Sequence, residues 1–341
     1  MPVLLSADGD IRFEKLEEYR KLQEFPAFDM ASITQWTKKV ELWFNDNNVL
    51  RAPLTRLAGA LDYRVFDYSD RVYVGKNNLM FYRNVMDNQL FKNYLCARDT
   101  QFKDFLELLS YAQKKLEQKN IKLLLVVCPL KWMLYKDSLP QDVPRADPEY
   151  FIALNKTLKS KEGLIYVDAL EILQNLKQNK FQTFHTTDFH WTDPAAYFVA
   201  QKILECLLHR EGKAESVHSL QIEPLHHFVG GQSRFLPLFD PISEESISSV
   251  KNWDDAGIVQ SKIDENPYEF VSERKGAPLP PTVFLGNSFG DGFTRNGFNS
   301  YFEKFYKIDR DISLREAIDI APKDAKYFIW EIIEVQLSTE K

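Results

Sequence analysis

Ser288, His190 and Asp188 are the residues of this 341-residue chain whose types and settings suit nucleophilic catalysis. Gly286-Asn287-Ser288-Phe289-Gly290 spells G-x-S-x-G directly after the apolar run Thr282-Val283-Phe284-Leu285. That is the pattern of a sharp strand-to-helix turn exposing a serine hydroxyl beside backbone N–H groups able to hold an oxyanion. The same spelling also suits a plain tight turn. A serine hydroxyl at its ordinary pKa is a poor nucleophile and needs a base in hydrogen-bond reach, most often histidine. The chain has six histidines, His185, His190, His209, His218, His226 and His227, and all precede Ser288. An α/β-hydrolase runs serine, acid, histidine, so chain order argues against that fold.

His190 stands in Thr187-Asp188-Phe189-His190-Trp191-Thr192-Asp193-Pro194, with a carboxylate two residues earlier. In an extended segment positions i and i+2 share a face, so Asp188 can hold one imidazole nitrogen while the other points toward a serine. The plainer reading makes Asp188 a local cap and His190 a satisfied core histidine against Trp191. Thr192 and Pro194 read as the N-cap and first turn of a helix running to Leu208. His185, Asp188 and His190 also offer metal-ligand chemistry, but they crowd on one loop without a fourth group, so no metal is expected. His226-His227 reads as surface or loop packing.

The elements that must position these residues are legible from periodicity. Arg12 to Phe25 and Met30 to Asn47 read as helices broken by Pro26 and Pro53. Val72-Tyr73-Val74 and Leu79 to Tyr82 read as a hairpin turned at Gly75 to Asn78. A helix from about Thr100 to Lys119 leads into the apolar run Ile121 to Cys128, the mark of a strand buried on both faces. A helix near Pro148 to Lys159, strand Leu164 to Asp168 and helix Ala169 to Gln178 follow. Three late strands are expected at 282–285, 305–308 and 327–330. Alternating helix and buried strand predicts an α/β fold, a mostly parallel sheet with helices on both faces, whose ligands gather at the carboxyl ends of the strands. Segment 211–280, with Gly230-Gly231, Ser246 to Ser249 and three prolines near 280, reads as a loop-rich insertion. The expected division is an N-terminal helical segment, 1–68, packed on a catalytic domain, 69–341.

Composition narrows the function. The chain is 44% apolar and 13% aromatic with a net charge of −6, so no strong positive field invites nucleic acid or an anionic membrane. Cys96, Cys128 and Cys206 lack metal-ligand spacing and form no even-numbered disulfide framework, so they are expected as buried thiols. No apolar run approaches the roughly 18 residues of a membrane span. The first residues show no basic, long-apolar secretory signal, which leaves either a cytoplasmic protein or an export segment removed.

Taken in order along the chain, a further set of segments resembles the SGNH-hydrolase-like proteins of bacterial polysaccharide O-acetylation, the AlgJ/AlgX group. They are Phe25-Pro26, Leu50-Arg51, Val74 to Tyr82, Cys128-Pro129-Leu130-Lys131 with Tyr135 and Leu139-Pro140, Thr187 to Thr192, Leu285 to Phe289, and Ile329-Trp330-Glu331. The resemblance implies a flavodoxin-like SGNH fold, with acid and base in the D-x-H-W segment and the nucleophile in the later G-x-S segment. It therefore implies Asp188, His190 and Ser288 in those roles, in the order that the α/β-hydrolase scheme forbids. It also implies an O-acetyltransferase that passes acetyl through Ser288 to a polysaccharide hydroxyl, without a cofactor, outside the cytoplasm. An export or tethering segment absent from this chain and a membrane-bound acyltransferase of the MBOAT type as partner belong to the same expectation. A carbohydrate acetylesterase and a non-catalytic carbohydrate-binding or scaffold subunit are the alternatives. Where a Gly-Ala pair usually follows D-H-W this chain has Ala195-Ala196, a difference expected to touch helix packing more than chemistry. The block supplying the second oxyanion donor of ordinary SGNH esterases is absent. Asn287 and Lys131 are candidates for oxyanion or acidic-sugar contacts, Lys131 otherwise being a solvated strand-end lysine. Glu331 is a candidate for hydroxyls or a salt bridge. Trp191, Tyr135 and Trp132 are candidates for stacking on sugar faces or for core packing.

Overall fold

The computed structural model describes residues 22–28, 32–48, 50–66, 68–83, 100–141, 143, 149–214, 216–253, 258–261 and 268–338. Two helices, α1 (Ile33–Asn47) and α2 (Arg51–Phe66), come first. Pro53 lies in the first turn of α2, where a missing N–H costs nothing, so it opens a helix rather than breaking one. Most of the expected helix Arg12 to Phe25 lies outside the described residues, as does Cys96, and 22–28 is not helical. The hairpin is formed by β1 (Val72–Val74) and β2 (Met80–Tyr82), antiparallel with Val74 opposite Met80. Its turn uses Asn77 and Asn78 at φ 58°, a region asparagine tolerates better than most residues. Ala60 and Tyr63 of α2 pack on a small cluster of Val72, Met80, Leu236 and Leu238.

The main sheet has seven strands, in the order Ile165–Asp168, Lys122–Cys128, Tyr327–Ile333, Thr282–Leu285, Lys304–Ile308, Tyr268–Glu273 and Val259–Ser261. β3 (Lys122–Cys128), β4 (Ile165–Asp168), β9 (Thr282–Leu285), β10 (Lys304–Ile308) and β11 (Tyr327–Ile333) run parallel. Residues 123 to 128 of β3 are all buried, so both faces of the sheet are covered. α3 (Thr100–Gln118) packs on β3 and on α10 (Leu314–Ile320). The crossovers to the opposite side carry α6 (Ala169–Gln178), α7 (Asp193–Arg210) and α9 (Asp291–Arg295), which contact one another in chain order. Right-handed crossovers in both directions along the sheet require these two helix layers. Two further helices, α4 (Lys131–Tyr135) and α5 (Glu149–Ser160), lie between β3 and β4 in the chain.

Segment 211–280 holds more order than its periodicity suggests. β5 (Ile222–Phe228) and β6 (Glu244–Ser249) form a separate antiparallel pair, with α8 (Gly231–Phe235) between them. β7 (Val259–Ser261) and β8 (Tyr268–Glu273) extend the main sheet antiparallel beyond β10. Ile-Glu-Pro-Leu-His-His-Phe and Glu-Glu-Ser-Ile-Ser-Ser lack hydrophobic alternation because little of either strand is buried, which hides them from a pattern search.

Candidate active site

Ser288 starts the turn between β9 and α9, at the carboxyl edge of the parallel strands. Asn287 Oδ1 accepts the Phe289 N–H at 2.9 Å and its carbonyl accepts the Gly290 N–H at 3.0 Å, which folds the turn locally. The flanking glycines are required by close packing. A Cβ on Gly286 would sit 2.6 Å from the Phe284 ring and 2.7 Å from Glu331 Oε2, and one on Gly290 2.5 Å from the same ring. Half-exposed at the top of this turn, Ser288 directs Oγ to His190 Nε2 at 2.8 Å.

His190 and Asp188 belong to the bend 186–190, between Phe184 and Trp191, which pair as an isolated antiparallel bridge. Asp188 Oδ1 lies 2.7 Å from His190 Nδ1 and accepts the His190 N–H at 3.0 Å, while Oδ2 accepts the Gly231 N–H at 2.6 Å. The pairing is thus made by a local turn in which the acid bonds its own backbone two residues on, rather than by an extended segment. Burial alone would raise the Asp188 carboxyl, but hydrogen bonds from the His190 ring and backbone and from Gly231, with the imidazole's charge, together hold it well below the usual carboxylate range. An ionised Asp188 keeps the proton on Nδ1 and leaves Nε2 as an acceptor toward Ser288. Phe189 and Phe289 flank the imidazole, with ring centroids 3.9 and 5.1 Å away.

Residues remote in the chain brace this bend. Glu244 of β6 accepts the Thr186 N–H at 2.7 Å, the Thr187 N–H at 2.6 Å and the Thr187 hydroxyl at 2.7 Å. Nothing in Glu244-Glu245 as a string marks it for this work. Gly230 comes so close to Thr187 that a Cβ there would lie 2.4 Å from the Thr187 carbonyl oxygen. Thr192 caps α7, accepting the Ala195 N–H, and Ala196 abuts Gly292 of α9, so small residues let the two site-bearing helices approach.

Several other candidates are placed differently from expectation. Lys131 is not a solvated strand-end lysine, nor is it free for substrate. It is buried, and its ammonium donates to the carbonyls of Met80 (2.8 Å) and Thr186 (3.2 Å) and to Gln232 Oε1 (3.3 Å). Burial brings its pKa down to about 7, against the pull of Asp188 and Glu244. Glu331 neither faces solvent nor forms an ion pair among the described residues. It lies under the serine turn, where Oε2 accepts the Asn287 N–H at 2.8 Å. Its partner strand explains the position: Trp330 is in register with Leu285, so Glu331 is level with the first residue of the turn. Asn287 spends its amide on Phe289 and on Gln336 Oε1, at 3.1 Å. Trp191 is 1% exposed and gives its N–H to the Phe289 carbonyl, and Trp132 is equally core. Tyr135 shares a hydrogen bond with Thr183 Oγ1 under the Lys177 ammonium, away from the cleft. What remains for an oxyanion is the Ser288 N–H, which has no hydrogen bond to a described residue.

The serine opens into a cleft of about 320 Å³, walled by His185 and His190, by Phe228 and Ile247 of the β5–β6 pair, and by the Asp193–Arg295 ion pair. No helix among the described residues is long and apolar enough to cross a membrane.

Glu331 also gives a pH signature. Burial raises its carboxyl from 4.5 to about 7, against hydrogen bonds from Asn287, Cys128 and Gly290. Between those values the folded chain binds a proton that the unfolded chain has released, so stability falls as pH rises through this window, by about 3 kcal/mol in all. Denaturant unfolding at about pH 5 and pH 8 should show Glu331→Gln gaining on the wild type by that amount. An unchanged gap would mean that the carboxyl ionises normally.

A family model described as "SGNH hydrolase-like domain, acetyltransferase AlgX" matches residues 72–250, which include Asp188 and His190 and end before Ser288. "Probable alginate O-acetylase AlgJ" of Pseudomonas syringae pv. tomato is 27% identical over 230 residues, covering 65% of this chain and 56% of that protein. The protein of the same name from Azotobacter vinelandii is 28% identical over 273 residues, 68% of each. The chain spans about half the length of the curated Pseudomonas relatives it matches. Among solved structures, Bacillus cereus PatB1 superposes with a TM-score of 0.55 at 15% identity, over 71% of this chain and 92% of that one. The O-acetyltransferase domain of Pseudomonas putida AlgJ gives 0.51 at 16%, over 80% and 93%. At such identities the superpositions speak for the fold.

Proposed function

From the premise that the chain belongs to the SGNH hydrolase-like domain family of AlgX-type acetyltransferases, we propose that it is a serine O-acetyltransferase acting on hydroxyls of an exported or cell-surface bacterial polysaccharide. One observation carries the reading: His190 bridges Asp188 Oδ1 and Ser288 Oγ at 2.7 and 2.8 Å, the spacing a base needs to activate an alcohol. Ser288 Oγ attacks an acetyl carbonyl while His190 Nε2 takes its proton, and Asp188 holds the tautomer and stabilises the imidazolium. The Ser288 N–H stabilises the oxyanion. The leaving group takes the proton from His190, and an acetyl-Ser288 enzyme remains. A sugar hydroxyl then gives its proton to His190, attacks the acetyl carbon and releases Ser288. Water in its place makes the same site an esterase.

The names of the alginate O-acetylase relatives support a polysaccharide acceptor. An extracytoplasmic location, and a membrane-bound acyltransferase of the MBOAT type as source of acetyl groups, complete the proposal. In it residues 69–341 carry the chemistry and 1–68 serve as a helical accessory. Incubation with 4-nitrophenyl acetate followed by intact-mass measurement tests it. The wild type should gain one acetyl group at Ser288, and Ser288→Ala should gain none and lose on the order of 10⁴-fold or more in ester turnover. Full activity in that variant would remove Ser288 from the mechanism.

A further inference from the structure

Two imidazoles face the cleft, and the proposed mechanism uses one. Phe184 and Trp191 form an antiparallel bridge with both side chains buried, and the His185 N–H reaches the His190 carbonyl at 3.4 Å. Residues 185 and 190 are therefore the next opposed pair of this short ribbon. Side chains alternate between faces, so the pair following a buried one points outward together, with Cβ atoms about 5 Å apart. Both rings accordingly line the cleft with Ser288.

His185 is held in place from the other wall. Its Nδ1 lies 2.7 Å from the buried Ser246 Oγ, and its ring stacks on Phe228 with centroids 4.3 Å apart and planes 29° from parallel. Nε2 has no hydrogen bond to a described residue. Burial lowers the pKa of this ring, against the pull of Glu244, Asp188 and Asp193 and with the help of Lys131, so near neutral pH it is an uncharged imidazole with one donor and one acceptor. When Nδ1–H donates to Ser246, Nε2 offers the lone pair to the cleft.

We propose that His185 binds the acceptor: its Nε2 accepts a hydrogen bond from the hydroxyl adjacent to the one that attacks, so that the acceptor is a sugar ring with two vicinal hydroxyls. This rests on the acetyl-transfer reading above and names the class of its substrate. Phe228, with Leu225 and Ile247 beside it in the cleft wall, supplies an apolar surface for the ring face. In the transfer step the attacking oxygen bonds to the acetyl carbon and its proton passes to His190 Nε2. The Ser288 Oγ–carbon bond then breaks and the proton returns from His190 to Oγ. His185 neither gives nor takes a proton, and it orients the ring so that one hydroxyl meets the acyl carbon.

The test uses trans-1,2-cyclohexanediol and cyclohexanol as acceptor probes with enzyme acetylated by 4-nitrophenyl acetate. Acetylated probe is measured relative to acetate released from the same acetyl-enzyme. The wild type should favour the diol about tenfold, the worth of one hydrogen bond. His185→Phe, which keeps the stack on Phe228 and loses the nitrogen, should bring the diol ratio down to that of cyclohexanol. His185→Gln, whose amide oxygen accepts, should restore part of it. An unchanged diol ratio in His185→Phe overturns the proposal. NMR titration of the diol into Ser288→Ala, with and without His185→Phe, reads the same contact without turnover. Weaker binding in the double variant supports the assignment and equal binding overturns it. A wild type that never gains acetyl strikes at the transferase reading, while the titration still decides about His185.

Discussion

Asp188→Asn should lower ester turnover by about 10⁴-fold while the chain remains folded. The reason lies in the donors and acceptors around the carboxylate. Asp188 uses both oxygens as acceptors, Oδ1 from the ring and backbone N–H of His190 and Oδ2 from the Gly231 N–H. An asparagine has one acceptor and one donor group, so one side must now meet its own kind. If the NH₂ faces His190, the ring must present a lone pair at Nδ1 and carry its proton on Nε2, where it cannot act as base toward Ser288. If the NH₂ faces Gly231, the tautomer survives but two N–H groups oppose each other across a 2.6 Å contact, at a stability cost of about 1–3 kcal/mol. The first arrangement predicts lost turnover together with a stability cost from the NH₂ opposed to the His190 backbone N–H, the second near-normal turnover at a similar stability cost. Measuring both on one preparation distinguishes them, and a variant normal in both would show that Asp188 does not set the tautomer.

Lys131→Met should cost about 3 kcal/mol of stability and lower kcat as well. Removing the ammonium takes the Lys131 donor from the buried Met80 carbonyl and Gln232 Oε1, and one of two donors from the half-buried Thr186 carbonyl, which keeps the Met80 N–H at 2.9 Å; replacing one member of such a polar cluster is far worse than replacing all of it. Those acceptors lie on the β1–β2 hairpin, the 186–190 bend and α8, so the loss also loosens the bend that aims His190. Because the folded lysine's pKa is lowered from 10.5 to about 7, the unfolded chain holds a proton that the folded chain gives up between those values. Wild-type stability should accordingly gain on the variant as pH rises through that window. Denaturant melts at several pH values, with kcat on 4-nitrophenyl acetate alongside, measure both effects. A loss below 1 kcal/mol would mean that the three acceptors find other donors.

The parallel strands and their helices were legible because burial on both faces writes itself as continuous apolar sequence, as in Leu123 to Cys128 and Val283 to Leu285. The polar hairpin β5–β6 left no such trace, although it supplies Glu244, Ser246 and Phe228 around the site. Its strands bury few side chains, and pattern reading detects burial. The aromatic candidates split the same way. Trp191 sits in the core as its size favours, whereas nothing in the string tells a buried Lys131 from an exposed one.

By itself the amino-acid order determined what acts over short chain distances: a serine in a strand-to-helix turn, an acid two residues before a histidine, a threonine cap on α7. Such features are set by backbone sterics and hydrogen bonds between near neighbours. Only the tertiary structure decided which polar groups are buried and with whom. Lys131 meets an acceptor 101 residues away, Thr187 is braced by a carboxylate 57 residues away, and His190 meets Ser288 across 98. The cost of burying a charge or the strength of a base depends on those partners, and their identity is a property of the packed fold rather than of any segment.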